Sequence, residues 1–164
     1  MDTKMLDIYS DYLISSFSYA TATGLSKALA GTISHDKITR FLAKDDYDSK
    51  QLWKLVKKSV RKIESADGVL IFDDTVEEKA YTDESDLITW HFDHTFGRNI
   101  KGVNIQSCLY YAQGVTIPVA FQPIQKSEKY IDRKTGKERR KSVKTKNEYF
   151  REMAKVAIVD NQIK

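Results

Sequence analysis

A single cysteine, Cys108, leaves no partner for a disulfide framework and points to a reducing compartment. With only three histidines beside it, the chain is also short of the Cys and His side chains that a zinc site wants. Prolines number two, Pro118 and Pro123, and both fall in one β-rich segment, which they mark as interrupted or as a sheet edge. No stretch at the N-terminus has the apolar core of a signal peptide, and no window approaches a membrane-spanning run. These absences exclude a membrane partner and lead us to expect a cytoplasmic protein. No segment repeats another.

What is present is enough for one ordinary domain or two small ones: 164 residues, 41% hydrophobic, with 2 Trp, 9 Tyr and 7 Phe to build a core. The net charge of +4 is modest, but its distribution is uneven. Residues 126–146 carry ten Lys/Arg against Glu128, Asp132 and Glu138, whereas residues 73–86 carry seven acids against Lys79. An acidic pocket beside a basic flank suits an enzyme that holds metal ions and grips a polyanion. Solvated surface is the commoner meaning of any one such run.

Residues 2–62 read as helical. Leu6, Tyr9, Leu13, Ile14 and Phe17 recur at helical spacing. Thr21 or Thr23 caps a second helix closed by Gly31, Ser34 caps a third, and Leu52, Leu55, Val56, Val60 and Ile63 line a fourth. After the turn at 65–68 the pattern becomes β. Val69-Leu70-Ile71-Phe72-Asp73-Asp74-Thr75 reads as a strand buried on both faces at the centre of a sheet, with residues 77–86 a polar loop. Residues 101–111 and 115–124 read as a hairpin around Ala112-Gln113-Gly114. A turn at 134–137 and a last helix capped by Asn147 follow.

Chemistry concentrates where the apolar strand ends in Asp73 and Asp74. Carboxylates there are costly without a partner, and a divalent metal is one such partner. Adjacent strand residues face opposite sides, so only one of the two serves a given site, and parity does not choose between them. Both also suit a turn cap. Residues 25–42 have the parts of a helix-turn-helix, whose second helix would present His35, Lys37 and Arg40 to DNA, although packed helix pairs with a glycine turn are equally common. His91, Asp93 and His94 are weighed as metal ligands and read instead as hydrogen-bonding residues of a polar loop. Arg98 and Lys101 are candidate phosphate contacts, as are Lys137, Arg139, Arg140 and Lys141. Cys108 alternates with apolar neighbours and reads as core.

Taken together, Gly68 to Thr75, Leu87 to His94, Gly97-Arg98, Lys101-Gly102-Val103-Asn104 and Pro118-Val119-Ala120-Phe121 resemble bacterial insertion-sequence transposases of the DDE type. Leu6 to Leu13 and Ile33 to Leu42 are similar to the N-terminal region of that family. The resemblance implies an α+β fold: a helical DNA-binding region over residues 1–66, with a candidate helix-turn-helix, then over 67–164 the first part (strand, hairpin, helix) of a ribonuclease-H-like mixed sheet. It implies three carboxylates holding two Mg2+ or Mn2+ ions for phosphodiester chemistry. The first of them is the Asp immediately before Thr, which is Asp74, with Asp73 second. The other two carboxylates belong to a later strand and a later helix. Asp160 falls on the helix expected after Asn147, so it is not promoted.

The resemblance therefore implies a truncated transposase. The expected partners are DNA at the terminal inverted repeats of the element, and either itself or full-length transposase. One carboxylate holds Mg2+ poorly, so cleavage by the chain alone is not expected. The alternatives are a non-catalytic DNA-binding fragment that represses transposition, and a decayed remnant without function.

Overall fold

The structure is a computed structural model that describes residues 2–17, 19–44, 47–95 and 97–164. It divides into two compact units, residues 1–47 and 48–164. The first holds three helices: α1 (Thr3–Ser15), α2 (Ala22–Ala28) and α3 (His35–Leu42). The second holds α4 (Ser49–Ile63), strands β1 (Val69–Glu78), β2 (Ile88–Asp93), β3 (Arg98–Ala112), β4 (Val115–Pro123), β5 (Glu128–Ile131) and β6 (Glu138–Lys141), and α5 (Lys146–Lys155). A π-helical turn, Val156–Asp160, continues α5. Among the described residues no helix is long and apolar enough to cross a membrane.

Side-chain caps set the helix starts. Asp2, Thr21 and Ser34 each accept a backbone N–H three residues on, and Asp48 with Gln51 forms a full capping box. In the first unit Leu25 and Ile38 are buried, and the Tyr12 hydroxyl accepts the Thr21 N–H at 3.4 Å. The spaced apolar residues of α1 do not form a buried face as expected: Met5 is buried, whereas Leu13 and Ile14 are exposed. The α5 cap is Thr145, not Asn147, because Thr145 and Glu148 satisfy each other's backbone N–H groups.

Helix α4 belongs to the second compact unit, which begins at residue 48. The Ser49 hydroxyl donates to the Phe121 carbonyl at 2.6 Å and accepts its N–H at 2.9 Å, tying the start of α4 to β4. At the other end the Arg61 guanidinium donates to the carbonyls of Asn161 and Gln162. Between these ties Val60 is buried with Cys108, Tyr110, Ala112, Val119, Ala120, Met153, Ala157 and Ile163. An amphipathic helix followed by a turn is equally at home in a bundle or on a sheet, which is why periodicity alone groups α4 with the helices before it.

All strand pairings are antiparallel. The 15-residue β3 is the spine: β1 pairs along one side of it, and on the other β2 pairs with its first part and β4 with its second. Strand β2 corrects the expectation of a polar loop over residues 90–94. The alternation of Thr89 and His91 (buried) with Trp90 and Phe92 (exposed) is a strand's period of two. Gln113 and Gly114, both with positive φ, make the tight turn from β3 to β4. Pro118 sits in β4 beside a register shift in β3 between Cys108 and Leu109, the interruption expected of it.

Strand β1 is not buried on both faces at a sheet centre. Among the described strands it pairs only with β3, and Val69 and Ile71 on its outer face are 48% and 41% exposed. Its inner face, with Leu70 and Phe72, packs on the core, and Phe72 meets Phe150 of α5 edge-to-face at 4.5 Å. A close strand approach occurs at Gly102, where an added Cβ would lie 2.2 Å from the Glu77 carbonyl oxygen. Gly102→Ala should therefore push β1 and β3 apart and cost about 2 kcal/mol, read as a lower urea midpoint. An unchanged midpoint would show that the strands have slack there.

Candidate active site

The covered face of the sheet changes character along its length. Even-numbered residues of β1 and β3 share that face with odd-numbered residues of β2, because register pairs Asp74 with Gln106, Phe72 with Cys108 and His91 with Ile100. One end of the face is apolar and packs against the helices. The other is polar and carries Asp74, Asn104, Gln106, Thr89 and His91, the last four all buried. Asp73 lies on the opposite, outer face, exposed, and accepts the N–H of Asp74 with its own carboxylate at 2.8 Å. Asp74 lies on the face shared with Phe72 and Asn104, at its rim, where its side chain is 39% exposed.

Asp74 Oδ2 accepts the Asn104 amide at 2.9 Å and the Lys146 ammonium at 2.5 Å. Partial burial pulls its pKa upward, but the hydrogen bonds from Lys146 and Asn104 outweigh this and hold the carboxyl below its ordinary 3.8. Lys146 is the first residue of α5, so the Thr145–Glu148 capping box that starts the helix also aims this lysine across 72 residues of sequence. His91 is held neutral. Burial, then the nearby charges of Lys126 and Lys146, pull its pKa down to about 4, and its Nε2 lies 2.9 Å from the Thr89 hydroxyl. Lys126 is itself depressed, first by burial and then by Lys146. Its ammonium donates to the Trp90 carbonyl at 2.6 Å.

Two acceptors beside Asp74, Asn104 Oδ1 and Gln106 Oε1, are buried without a hydrogen-bond partner. Oxygen acceptors next to a carboxylate are the donor type that hard divalent ions take. The set is nevertheless too small. Among the described residues no group of three His, Cys, Asp or Glu side chains is arranged to hold a metal, and Lys146 already supplies a positive charge at Asp74 Oδ2. These residues do not by themselves fit a divalent ion.

The remaining candidates are scattered. His35, Lys37 and Arg40 lie exposed on α3; His35 contacts Asp36 at 3.2 Å, and Arg40 Nε donates to the Asp36 carbonyl. Arg98 pairs with Glu78 at 3.5 Å. Lys101 is on the outer face of β3, across from Trp90. In the β5–β6 hairpin, Lys141 pairs with Glu128 and Arg139 with Asp132. Arg140, mostly buried, is gripped by Asp86 and Glu84 and so fastens the hairpin to the loop before β2. Cys108 is fully buried and its thiol is pushed up to about 12 by that burial, which makes it core. Sequence reasoning misses Lys146, Asn104, Gln106 and Thr89, whose roles exist only through strand register and the placement of α5.

No curated protein and no solved structure matches the chain. The family described as DDE superfamily endonuclease matches residues 2–164, so nearly every residue from α1 to the end of the sheet unit, Asp74 included, falls within it, and the chain belongs to that family.

Proposed function

We propose that the chain is a transposase-type nuclease component of an insertion sequence, recognising DNA at the terminal inverted repeats, with Asp74 as the first of its metal-directed carboxylates. Endonucleases of this superfamily act on DNA and generally use divalent metals; Mg2+ or Mn2+ is the ion that a complete carboxylate set would hold, for which Asp74 alone does not suffice. The observation that carries the reading is that Asp74, and not Asp73, lies on the covered sheet face beside Asn104 and two buried amide oxygens without partners. The reaction class is phosphodiester cleavage and joining. DNA contacts are assigned to His35, Lys37 and Arg40 on α3 and to Arg98, Lys101, Lys137, Arg139 and Lys141 on the sheet unit. Arg140, given its ion pairs, serves to hold the hairpin in place.

The test uses a supercoiled plasmid carrying the DNA that flanks the coding sequence. With Mg2+ or Mn2+ we expect binding in a gel shift but no nicking, because one carboxylate does not hold the ion. Reproducible nicking that Asp74→Ala abolishes would overturn the single-carboxylate argument. Absence of any preference for flanking DNA over random DNA would overturn the recognition assignment. Removing charge at Lys137 and Arg139 together should lower the slope of log affinity against log salt by about one for each phosphate no longer neutralised.

A second reading, binding without cutting as a repressor of transposition, draws support from Lys146. Its ammonium rests on the carboxylate oxygen that would otherwise face a cation. Competition between this chain and an active transposase for the same ends would favour it.

A further inference from the structure

A groove of about 470 Å³ runs between β2 and the β5–β6 hairpin, wholly within the second unit. Its lining includes two aromatic side chains, Trp90 and Tyr130, which are 54% and 41% exposed, and four cationic ones, Lys126, Lys137, Arg139 and Arg140. Neither aromatic ring is needed by the hydrophobic core, which lies on the other side of the sheet around Cys108 and Tyr110. Large aromatic rings left in water on a strand and a hairpin, inside a cationic groove, are what unstacked bases bind: the ring takes a base, and the cations take the backbone.

The electrostatics of the groove favour a polyanion. Its two acids are engaged, Glu138 by Lys129 and Glu84 by Arg140, and while Arg139 and Arg140 are also paired, Lys126 and Lys137 remain as the cations facing a ligand. Arg140 and Arg139 hold the hairpin through Asp86 and Asp132, so the walls are set before any ligand arrives. A duplex needs a broader surface than a groove closed on one side by a four-residue ribbon; a single strand does not.

The groove shares two lining residues, Lys126 and Thr89, with the surroundings of His91. Lys126 lines it and interacts electrostatically with Lys146, which is hydrogen-bonded to Asp74. Thr89 lines it as well and contacts His91. We propose that this groove binds unpaired DNA nucleotides, stacking a base on Trp90. The proposal deepens the DNA assignment above and rests on it.

Trp90 provides its own reporter. In Trp53→Phe it is the sole tryptophan, and a single-stranded oligothymidylate should quench its emission, more strongly than the same length of duplex. Trp90→Ala should weaken oligothymidylate binding roughly tenfold or more, Tyr130→Ala by a smaller factor, and Trp90→Phe, which keeps a stacking ring, should restore most of the affinity. If Trp53→Phe fails to fold by circular dichroism, the difference in emission between wild type and Trp90→Phe reads the same quenching. Emission indifferent to saturating oligothymidylate, or wild-type affinity in Trp90→Ala, would overturn the groove assignment. If the protein shifts flanking duplex DNA but shows neither effect, only this proposal falls. If it binds no DNA of either kind, the proposed function falls with it.

Discussion

Replacing Tyr110 by alanine should destabilise the sheet unit by about 4 kcal/mol, a large share of the stability of a domain this size. Tyr110 is 1% exposed and stands in the core with Val60, Ala112 and Met153. Its ring is also a structural stop for the turn that delivers β1, since a Cβ on Gly68 would lie 2.1 Å from the Tyr110 hydroxyl. The hydroxyl accepts the Ser65 N–H at 3.3 Å and donates to the Lys164 carbonyl at 2.9 Å. One side chain thus joins the α4–β1 turn, the C-terminal end of β3 and the segment after α5. Tyr110→Phe keeps the ring and loses only those two hydrogen bonds, so it should cost about 1 kcal/mol. Urea unfolding followed by far-ultraviolet circular dichroism measures both. A loss below about 1.5 kcal/mol in Tyr110→Ala would mean that the neighbouring elements collapse easily into the space and that this junction does not organise the unit.

Stability should fall steeply as the solution is acidified from pH 6.5 toward 4, and His91 is the cause. Its folded pKa of about 4 lies below the ordinary 6.5, because burial comes first and the charges of Lys126 and Lys146 add to it; Asp74 and the Gly102 backbone pull weakly the other way. Above pH 6.5 both folded and unfolded states hold a neutral imidazole, and the native state keeps its full advantage. Between 6.5 and about 4 the unfolded chain takes up a proton that the native chain refuses, so the advantage is lost progressively. The full loss across that window is about 3 kcal/mol. Asp74 acts in a separate window. Its depressed carboxyl stabilises the fold above 3.8, and that contribution disappears as pH drops through the lower folded value. Denaturant midpoints measured from about pH 7.5 to 4 should show the slope, and His91→Gln should flatten it. A slope unchanged in His91→Gln would assign the acid sensitivity to another group.

The parts of this protein that are legible in advance are those governed by near neighbours in the chain. Thr21 and Ser34 cap their helices because the donors they satisfy lie three residues away. Gly114 supplies the left-handed backbone that the hairpin turn requires, so the turn is readable from its own residue. Pro118 marks the irregular strand because it cannot donate to a ladder. What is not legible depends on partners far along the chain. Strand β2 looks like a loop because its short alternation is interrupted by a histidine, which becomes buried only when β3 pairs beside it and Thr89 supplies a hydrogen-bond partner. The strongly basic stretch at 126–146 looks like a free polyanion surface. In the fold, several of its charges are spent on Asp86, Glu84, Asp132, Glu128 and Asp74.

By itself the order of residues determines a disulfide-free α+β protein that resembles a DDE transposase, with an Asp-Asp-Thr strand end as the place to look for chemistry. The single cysteine and the helix-then-strand order follow from composition and local periodicity, whereas the family is carried by the matching stretches at 68–75, 87–94 and 101–104. Only the tertiary structure decided that Asp74 shares a sheet face with Asn104 while Asp73 lies on the other, that Lys146 and Asn104 hold the Asp74 carboxylate, and that Trp90 lines a groove with Lys126 and Lys137. Those outcomes depend on antiparallel register, where a shift of one residue would exchange the two faces of the sheet, and on an ion pair between residues 72 positions apart.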